Sequence, residues 1–555
     1  MVRMVFLRPL SAGRALSFWF LVAALLTFGV TIWGQEVTAT IDGTVTDPSG
    51  SGIPGAKVTA TDLDRNVTSN TTTNTTGAYS FPRLPVSRYS IRVEAKGFQA
   101  AVKPEILLVL NQVAKVDVQL QVGNVTQTVE VTSAPPILET QSTNVETLIN
   151  SRAIVDMPLS TRNYGQLALL APGAVTTNAS SFAGGSGSSA GLNTFYSGRP
   201  YINGNREQDD NYVLDGLDNN QSDEGGVAYA PSPDAIQEFN LITANASAEF
   251  GNYLGGIINA ALKSGTNQFH GDAFEFFRND KLNANLWQNK WNRLARPLLR
   301  YNEFGATFGG PIVKNRLFFF ADYQGERYDQ PGTASGFTVF TAQERPGGGP
   351  NGSADFGDLC AHAGGTFTGS GVCSNPAGQL YDPYSSNNPA GRTIFPYNII
   401  PANRIDPVAA KILSSNFYPA PANGNFTNNQ VNFSHSKTNG DQGDIKVDGV
   451  ATQKDHLYGR YTQQYVTNPT TNSQALLFNS SNVFPVYSGV LDWTHTFSPS
   501  FVNDLRGGVN YFPVNPYASV SNATGQNLGQ TFGIPGVPSS FLPLMDLINS
   551  LVSNI

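Results

Sequence analysis

The chain has 555 residues, enough for three or four domains of ordinary size. Charged residues make up 14 % and aromatic residues 11 %, and 55 glycines with 34 prolines interrupt the chain. This composition is typical of turn-rich β structure and argues against a helical cytosolic enzyme. The net charge is −7 without a basic block, which argues against nucleic acid as a partner because phosphate binding needs clustered Lys and Arg.

The first segment, residues 1–34, is predicted to be an export signal peptide. Arg3, Arg8 and Arg14 precede an apolar run from Ala15 to Trp33, and the small residue Gly34 follows it as a cleavage point. The run is long enough to span a bilayer, so a retained anchor is the alternative. No other stretch resembles a membrane helix, and any further membrane insertion would therefore require a closed barrel.

Residues 35–122 alternate β-prone runs with turns, which predicts a β-sandwich. The predicted strands are 38–46, 56–61, 78–81, 89–94 and 114–121. Five pieces carry a resemblance: GTVTD at 43–47, IPGAKV at 53–58, TTGAYSF at 75–81, YSIRV at 89–93 and KGF at 96–98. They resemble the carboxypeptidase regulatory-like domain, with Arg88 where that family usually has glycine. The resemblance implies a transthyretin-like sandwich, also described as a carbohydrate-binding-like fold. We expect a spacer or docking module, with sugar binding as the alternative.

Residues 123–136 form a predicted linker that contains a short β-prone run closed by two prolines. Such a run can pair with an open sheet edge of another protein. Thr128, Val129, Glu130, Val131 and Thr132 are similar to the TonB box of TonB-dependent receptors, which binds a TonB-type periplasmic energy-coupling protein. The alternative is a last strand of the sandwich.

Residues 137–266 have a mixed α/β pattern, with short helices predicted at 144–149 and 163–170 and a mobile Gly/Ser-rich loop at 177–198. The stretch resembles the plug of TonB-dependent receptors. The pieces that carry the resemblance are YINGNR at 201–206, NYVLDGLDN at 211–219, AIQEF at 235–239, AEFG at 248–251, GGIIN at 255–259 and KSGTNQFHG at 263–271. In that family the plug blocks a large barrel until energy coupling moves it.

The plug segment carries two patterns that are typical of other sites. The pattern GSSAG at 187–191 matches a nucleophile elbow but lies in a low-complexity loop, so we predict no catalytic residue there. Six acidic residues could suggest calcium, but their spacing differs from an EF-hand loop. They are Asp209, Asp210, Asp215, Asp218, Asp223 and Glu224. We expect turns and lumen contacts, with no metal and no cofactor.

Residues 267–555 are predicted to form part of an antiparallel transmembrane β-barrel with long extracellular loops. The candidate strands are 269–278, 303–310, 317–323, 444–450, 456–463, 490–497 and 501–511, and their apolar and polar residues alternate as in barrels. A soluble sandwich is the alternative. We find no convincing strand between Gly325 and Gly440 and predict an extracellular loop, with a short helix at 401–415.

The only two cysteines, Cys360 and Cys373, lie in that loop and are predicted to form a disulfide, because the export signal implies an oxidising compartment. Two free thiols are the alternative.

Seven strands are too few to enclose a plug of this size, since barrel diameter grows with strand number and the receptor family has 22. The last residues also lack a clear strand and a terminal aromatic. We therefore expect the sequence to be a fragment of a longer receptor, a degenerate or split receptor being the alternative.

The sequence as a whole predicts a mainly β protein with a β-sandwich, a mixed α/β plug and the first strands of a barrel. The resemblance implies a TonB-dependent outer-membrane receptor that imports a bulky nutrient, with carbohydrate mildly favoured by the Thr- and Asn-rich loops. Its partners would be the energy-coupling protein, outer-membrane lipid and an extracellular nutrient ligand whose binding residues the sequence does not identify. A surface adhesion or carbohydrate-binding protein without transport is the alternative.

Overall fold

The computed structural model describes residues 38–123, 128–130, 143–159, 162–176, 199–222, 225–251, 253–291, 296, 298–331, 335–474, 478–498, 501–513, 519–522 and 527–534. The predicted export signal, the Gly/Ser-rich stretch 177–198, and Asp223 with Glu224 lie outside these residues. The fold is mainly β, as predicted.

The first unit is a sandwich of two sheets. Its strands are β1 Ala39–Thr46, β2 Lys57–Asp62, β3 Val67–Thr72, β4 Ala78–Leu84, β5 Ser87–Glu94, β6 Ala100–Leu108, β7 Val113–Lys115, β8 Val118–Gln119 and β9 Thr128–Glu130. One sheet has the order β4-β1-β7 with β8 also pairing with β1, and the other has the order β3-β2-β5-β6-β9. Alternate residues of β1 and β5 point inward, so Ile41 and Ile91 are fully buried between the sheets.

The sequence pattern located most of this sandwich. The predicted strands correspond to β1, β2, β4, β5 and the β7–β8 pair, whereas β3 and β6 were missed. Polar residues dominate β3, and Pro104 interrupts β6, so neither run presents a clean β-strand pattern.

The plug segment forms a small mixed sheet. Its elements are β10 Val145–Asn150, α1 Ser151–Asp156, β11 Ala174–Val175, β12 Tyr201–Ile202, β13 Asn211–Leu214, β14 Leu217–Asp218, β15 Ile236–Ala244 and β16 Ile257–Leu262. The sheet order is β10-β15-β16-β13-β14, and only the β13–β16 pair is parallel among the pairs in this described sheet. One face packs Phe239, Leu241 and Ile258 into an apolar core with Tyr164.

The predicted helix at 144–149 is wrong, because Val145–Asn150 is strand β10 and pairs antiparallel with β15. This pairing joins residues about ninety positions apart, which a local pattern does not reveal. The helix begins at Ser151, where the Asn150 side chain caps it by accepting a hydrogen bond from the Ala153 N–H at 3.0 Å. The other predicted helix corresponds to a 3₁₀ helix at Tyr164–Leu170.

The third unit is a large antiparallel sheet, which we call the wall. Its elements are β17 His270–Asn279, α2 Trp287–Trp291, β18 Arg300–Val313, β19 Leu317–Pro331, β24 Ser434–Thr452, β25 Asp455–Asn472, β26 Phe478–Ser498, β27 Phe501–Tyr511 and β28 Ser519–Asn522. The strand order is β17-β18-β19-β24-β25-β26-β27, with β28 pairing with the start of β26. All seven predicted strands are confirmed, and most are longer than the pattern indicated. Among the described residues, no helix is both long and apolar enough to cross a bilayer.

The two faces of the wall differ as a barrel requires. In β24, Ile445 and Val447 are exposed on one face, while Asp444, Lys446 and Asp448 are buried on the other. The buried face lies against the plug, and Phe320 and Val486 of the wall join the plug core. The exposed face is the apolar surface that would meet lipid.

The wall has a short-turn end and a loop end. At the short-turn end, residues 314–316 join β18 to β19 and residues 453–454 join β24 to β25. At the loop end, the chain between β19 and β24 contains β20 Ser335–Phe337, β21 Ala354–Asp355, α3 Gly357–His362, β22 Ile399–Ile400, α4 Pro407–Ser414 and β23 Gln430–Asn432. The expectation of no strand between Gly325 and Gly440 was therefore wrong, since β19 extends to Pro331 and four short strands follow among the residues that the structure describes.

This long loop is a folded unit with its own apolar core. Val339, Ile412 and Tyr418 pack against Leu528 and Phe532 of the helix α5 Leu528–Phe532. The helix α4 lies within the predicted range 401–415. Cys360 and Cys373 are buried and joined as a disulfide, with their Cα atoms 5.8 Å apart.

Replacing both cysteines, Cys360→Ser with Cys373→Ser, is expected to destabilise this loop by about 2–4 kcal/mol, because a cross-link restricts the unfolded chain. Hydrogen exchange of residues 354–400 should accelerate while the plug is unaffected. Ser370→Ala, an exposed change in the same turn, is the control. Equal exchange in the double variant and the control would contradict a stabilising role.

Candidate functional site: the plug–wall interface

The segment similar to a TonB box lies at the edge of the sandwich. Thr128, Val129 and Glu130 form β9, which pairs in parallel with Ala100, Ala101 and Val102 of β6. The strand β9 is the last in its sheet. Val131 and Thr132 lie outside the described residues. The segment therefore occupies the position that the alternative interpretation gave it, while its proposed binding role stays a prediction.

The plug presents a tight hairpin to the wall. Asp215 and Gly216 connect β13 to β14 and both have positive φ, at 49° and 74°. Asp-Gly is the dipeptide that such two-residue turns favour, because both central positions need the left-handed region. The turn aims the Asp215 carboxylate at the wall.

Asp215 is the centre of a buried charge cluster. Its carboxylate accepts hydrogen bonds from Lys446 Nζ at 3.0 Å and Arg460 Nη1 at 3.2 Å, and from the Leu262 N–H at 3.0 Å. Tyr458 donates its hydroxyl to the Asp215 carbonyl at 2.6 Å. Burial acts to raise the pKa of Asp215, but Lys446 and Arg460 hold it below its ordinary value. The plug hairpin is thus fixed to the wall as a charged, paired group.

A second contact lies further along the same wall. Tyr229 of the plug donates its hydroxyl to Asp444 at 2.5 Å, and Thr462 donates to the other oxygen of that carboxylate. Gln442 donates its amide to the Ala230 carbonyl at 3.0 Å. These bonds involve alternate residues of β24, so the strand period places them in one row facing the plug.

A third contact is made by Arg162, which is buried between plug and wall. Its guanidinium pairs with Asp234 of the plug and lies 3.5 Å from Glu303 of β18. It also stands over the rings of Phe274 and Phe276 in β17, at 4.8 and 4.3 Å from their centroids. Arg162 therefore links two wall strands to the plug through charge and cation–π contact.

Asp210 is an acidic group that is buried inside the plug itself. One carboxylate oxygen accepts the Gly256 N–H at 2.8 Å, and the other is buried without a hydrogen-bond partner among the described residues. Burial raises the pKa of Asp210 to about 7, opposed by the Gly256 bond and reinforced by Asp209 and Glu207. Near neutral pH this side chain holds a proton part of the time.

Sequence reasoning found one side of this interface and missed the other. It placed Asp215 among lumen contacts, and the structure brings it to the wall. It did not identify Lys446, Arg460, Arg162 or Tyr229 as partners. The alternation of polar and apolar residues in β24 assigns Lys446 to the polar face of its strand, and this is the only local signal for its role. A single sequence does not reveal partners in distant segments.

The arrangement supports reversible docking between two surfaces. The polar contacts described above are hydrogen bonds, ion pairs and ring contacts, so they can break and re-form without covalent change. Among the described residues, no group of three or more His, Cys, Asp or Glu side chains is placed to hold a metal ion.

Comparisons with known proteins match two parts of the chain to protein families. Residues 261–550 match the family described as outer membrane beta barrel domain, and residues 40–121 match the carboxypeptidase regulatory-like domain. The TonB-dependent transporter Oar of Myxococcus xanthus is 34 % identical over 316 residues, which are 54 % of this chain and 28 % of that protein. The chain thus matches under a third of the length of this relative.

Solved structures that match the chain are much more distant. The outer membrane transporter YddB from Escherichia coli has 11 % identity and a TM-score of 0.39, over 66 % of this chain and 39 % of its own. A mutant ferric enterobactin receptor from Pseudomonas aeruginosa has 12 % identity and a TM-score of 0.29, over 66 % and 45 % of the two chains.

Asp215→Asn is expected to weaken plug docking by about 3–5 kcal/mol, because Lys446 and Arg460 would remain buried without a counter-charge. Hydrogen exchange in 211–218 and 257–262 should accelerate at least tenfold in the full-length protein in detergent. Asp156→Asn, at an exposed position of α1, is the matched control. Unchanged exchange in the Asp215 variant would show that the cluster does not hold the plug.

Asp210→Asn is expected to remove a pH dependence of plug stability. Because the pKa of Asp210 is raised on folding, the wild type loses stability as the pH rises from about 4 through about 7, and the loss levels off once the pH exceeds the folded-state pKa. The stability gap in favour of the variant should widen over that range by about 4 kcal/mol, because each pKa unit corresponds to about 1.4 kcal/mol. Denaturant melts at several pH values would measure it, with Asp209→Asn as the control. A gap independent of pH would contradict the assignment.

Proposed function

The chain belongs to the outer membrane beta barrel domain family, and we propose on this premise that it is an energy-coupled transporter that imports a bulky nutrient across the outer membrane. It resides in the outer membrane. Its similarity to a TonB-dependent transporter supports a TonB-type periplasmic protein as the energy source. Because the matched relative is described as a transporter, we propose binding and passage of the nutrient without covalent chemistry.

The observation that carries this proposal is the plug docked on the inner face of the wall through buried, paired charges. Asp215, Tyr229 and Arg162 each bind wall residues, and these polar contacts are non-covalent. A plug held in this way suits a passage that opens when the plug is moved. An adhesion protein, the alternative, has no need for a plug with polar, reversible contacts to the wall.

The nutrient would bind at the loop end, where the folded unit between β19 and β24 lies. Carbohydrate is the class of nutrient that the composition of the Thr- and Asn-rich loops favours. The sandwich itself matches the carboxypeptidase regulatory-like domain, whose description names no ligand. Force on the segment 128–132 would then displace the plug toward the periplasm.

Val129→Pro is expected to weaken binding of the purified periplasmic domain of the host TonB-type protein, because proline removes a strand N–H and resists addition to a sheet edge. Isothermal titration with the full-length protein in detergent would measure it, with at least a tenfold loss of affinity. Ala134→Pro, beside the existing Pro135, is the matched control. Equal binding by both variants would remove the segment 128–132 as the coupling site and favour a protein without transport.

A further inference from the structure

The sandwich lies against the short-turn end of the wall, which is the periplasmic end in the proposed function. Its β2–β3 turn, residues 63–66, meets the turn 314–316 between β18 and β19. Asn66 and Asn315 both have positive φ, which asparagine tolerates well, and Asn66 Nδ2 lies 3.4 Å from Asn315 Oδ1. The two turns thus present their side chains to one another.

Arg65, at the tip of the sandwich turn, is buried where sandwich, plug and wall meet. Its guanidinium pairs with Asp62 of its own domain at 3.0 Å and lies 3.6 Å from Asp448 of β24. Its Nε also donates to the Gly265 carbonyl, at the end of the plug segment, at 3.3 Å. One cation therefore connects three parts of the chain that are distant in sequence.

Asn267, which links plug and wall, reinforces this junction. Its backbone N–H donates to the Asp64 carbonyl at 3.0 Å, and its side-chain amide donates to the Arg65 carbonyl at 2.5 Å. It also exchanges hydrogen bonds with Asn315 at 2.7 and 2.9 Å. The junction therefore holds the backbone of the sandwich turn as well as its side chain.

Two further contacts lie away from this junction. Arg83 of the sandwich pairs with Asp504 of β27. The Leu110 N–H of the sandwich donates to Glu238 of the plug at 2.7 Å. The sandwich is thus attached at separate places on the wall and on the plug, which fixes its orientation.

These contacts border a cavity of about 340 Å³ between sandwich, plug and wall. Its lining includes Arg65 and Arg83 from the sandwich, Lys263 and Ser264 from the plug, and Lys446 and Asp448 from the wall. Asp215 also lines it, so the cavity adjoins the charge cluster that fixes the plug hairpin. A path opened by movement of that hairpin would enter this cavity.

We propose that the sandwich is a second gate, docked through Arg65 across the periplasmic mouth, which must detach before the path past the plug reaches the periplasm. The inference rests on the proposed transport function and adds a closure to it. The strand β9, which contains the first residues of the coupling segment, lies on the sheet edge of this same domain. Force applied to the segment therefore acts on the gate before it acts on the plug.

Labelling of a cysteine in the cavity tests the gate. Ser264→Cys in the full-length protein, in outer-membrane fragments, is treated with a polar maleimide, and labelling should be slow. Adding Arg65→Met should accelerate it at least tenfold, because Asp448 loses its cation and the sandwich opens more often at this junction. Arg92→Met, at an exposed sandwich residue paired with Glu94 in its own strand, should leave the rate unchanged. Fast labelling with Arg65 intact, or no acceleration without it, overturns the gate.

Cross-linking provides a second measurement that leaves Arg65 in place. In a variant with Asn66→Cys and Asn315→Cys, and with the native serine at position 264, a short bis-maleimide should join the two turns in high yield. Each single-cysteine variant is the control and should give no intramolecular product. A low yield from the pair would overturn the docked position of the sandwich.

Both measurements work without a coupling protein or a nutrient, so they separate the gate from the transport function. If the cavity is closed by Arg65 while Val129→Pro does not affect coupling-protein binding, the proposed function fails and the docked sandwich remains. If coupling-protein binding depends on Val129 while the Ser264→Cys variant with Arg65 intact is labelled quickly, the gate fails and the transport proposal stands.

Discussion

The structure depends on one constraint: a charge that is removed from water inside the lumen must be paired there. Asp215 meets Lys446 and Arg460, and the plug hairpin can lie against the wall only in the position that makes this match. A purely apolar interface would tolerate small shifts along the wall, because the hydrophobic effect has no direction. Paired charges fix the register of plug against wall, and they do so with contacts that water can replace when the surfaces separate.

The same constraint shapes the wall. Side chains alternate along each strand, with apolar residues on the face toward lipid and polar residues on the face toward the plug. In β24 this alternation puts Ile445 outside and Asp444 inside, at adjacent positions. A shift of register by one residue would reverse both faces at once. The plug therefore does more than fill the space, since its polar groups pair with Asp444, Lys446 and Arg460 of the inner face.

The local sequence pattern predicted those elements whose structure depends on residues nearby in the sequence. The period of two located the wall strands. The pattern failed where a distant partner decides the structure: residues 145–150 form a strand because β15 lies beside them. Arg65 gave no signal either, since its partners Asp448 and Gly265 are about 380 and 200 positions away. The placement of the sandwich under the wall was for the same reason not visible in the sequence.

The parallel pairing of β9 with β6 makes the sandwich an internal competitor for its own linker. A segment joined to its competitor by a short tether experiences an effective concentration in the millimolar range. An external sheet edge can bind Thr128–Glu130 only while this segment is released from β6. Its apparent dissociation constant is therefore the intrinsic one divided by the fraction of molecules in which the segment is free. The strength of the β6–β9 pairing thus sets the partner concentration that is needed to bind the segment. Below that concentration the segment stays paired with the sandwich.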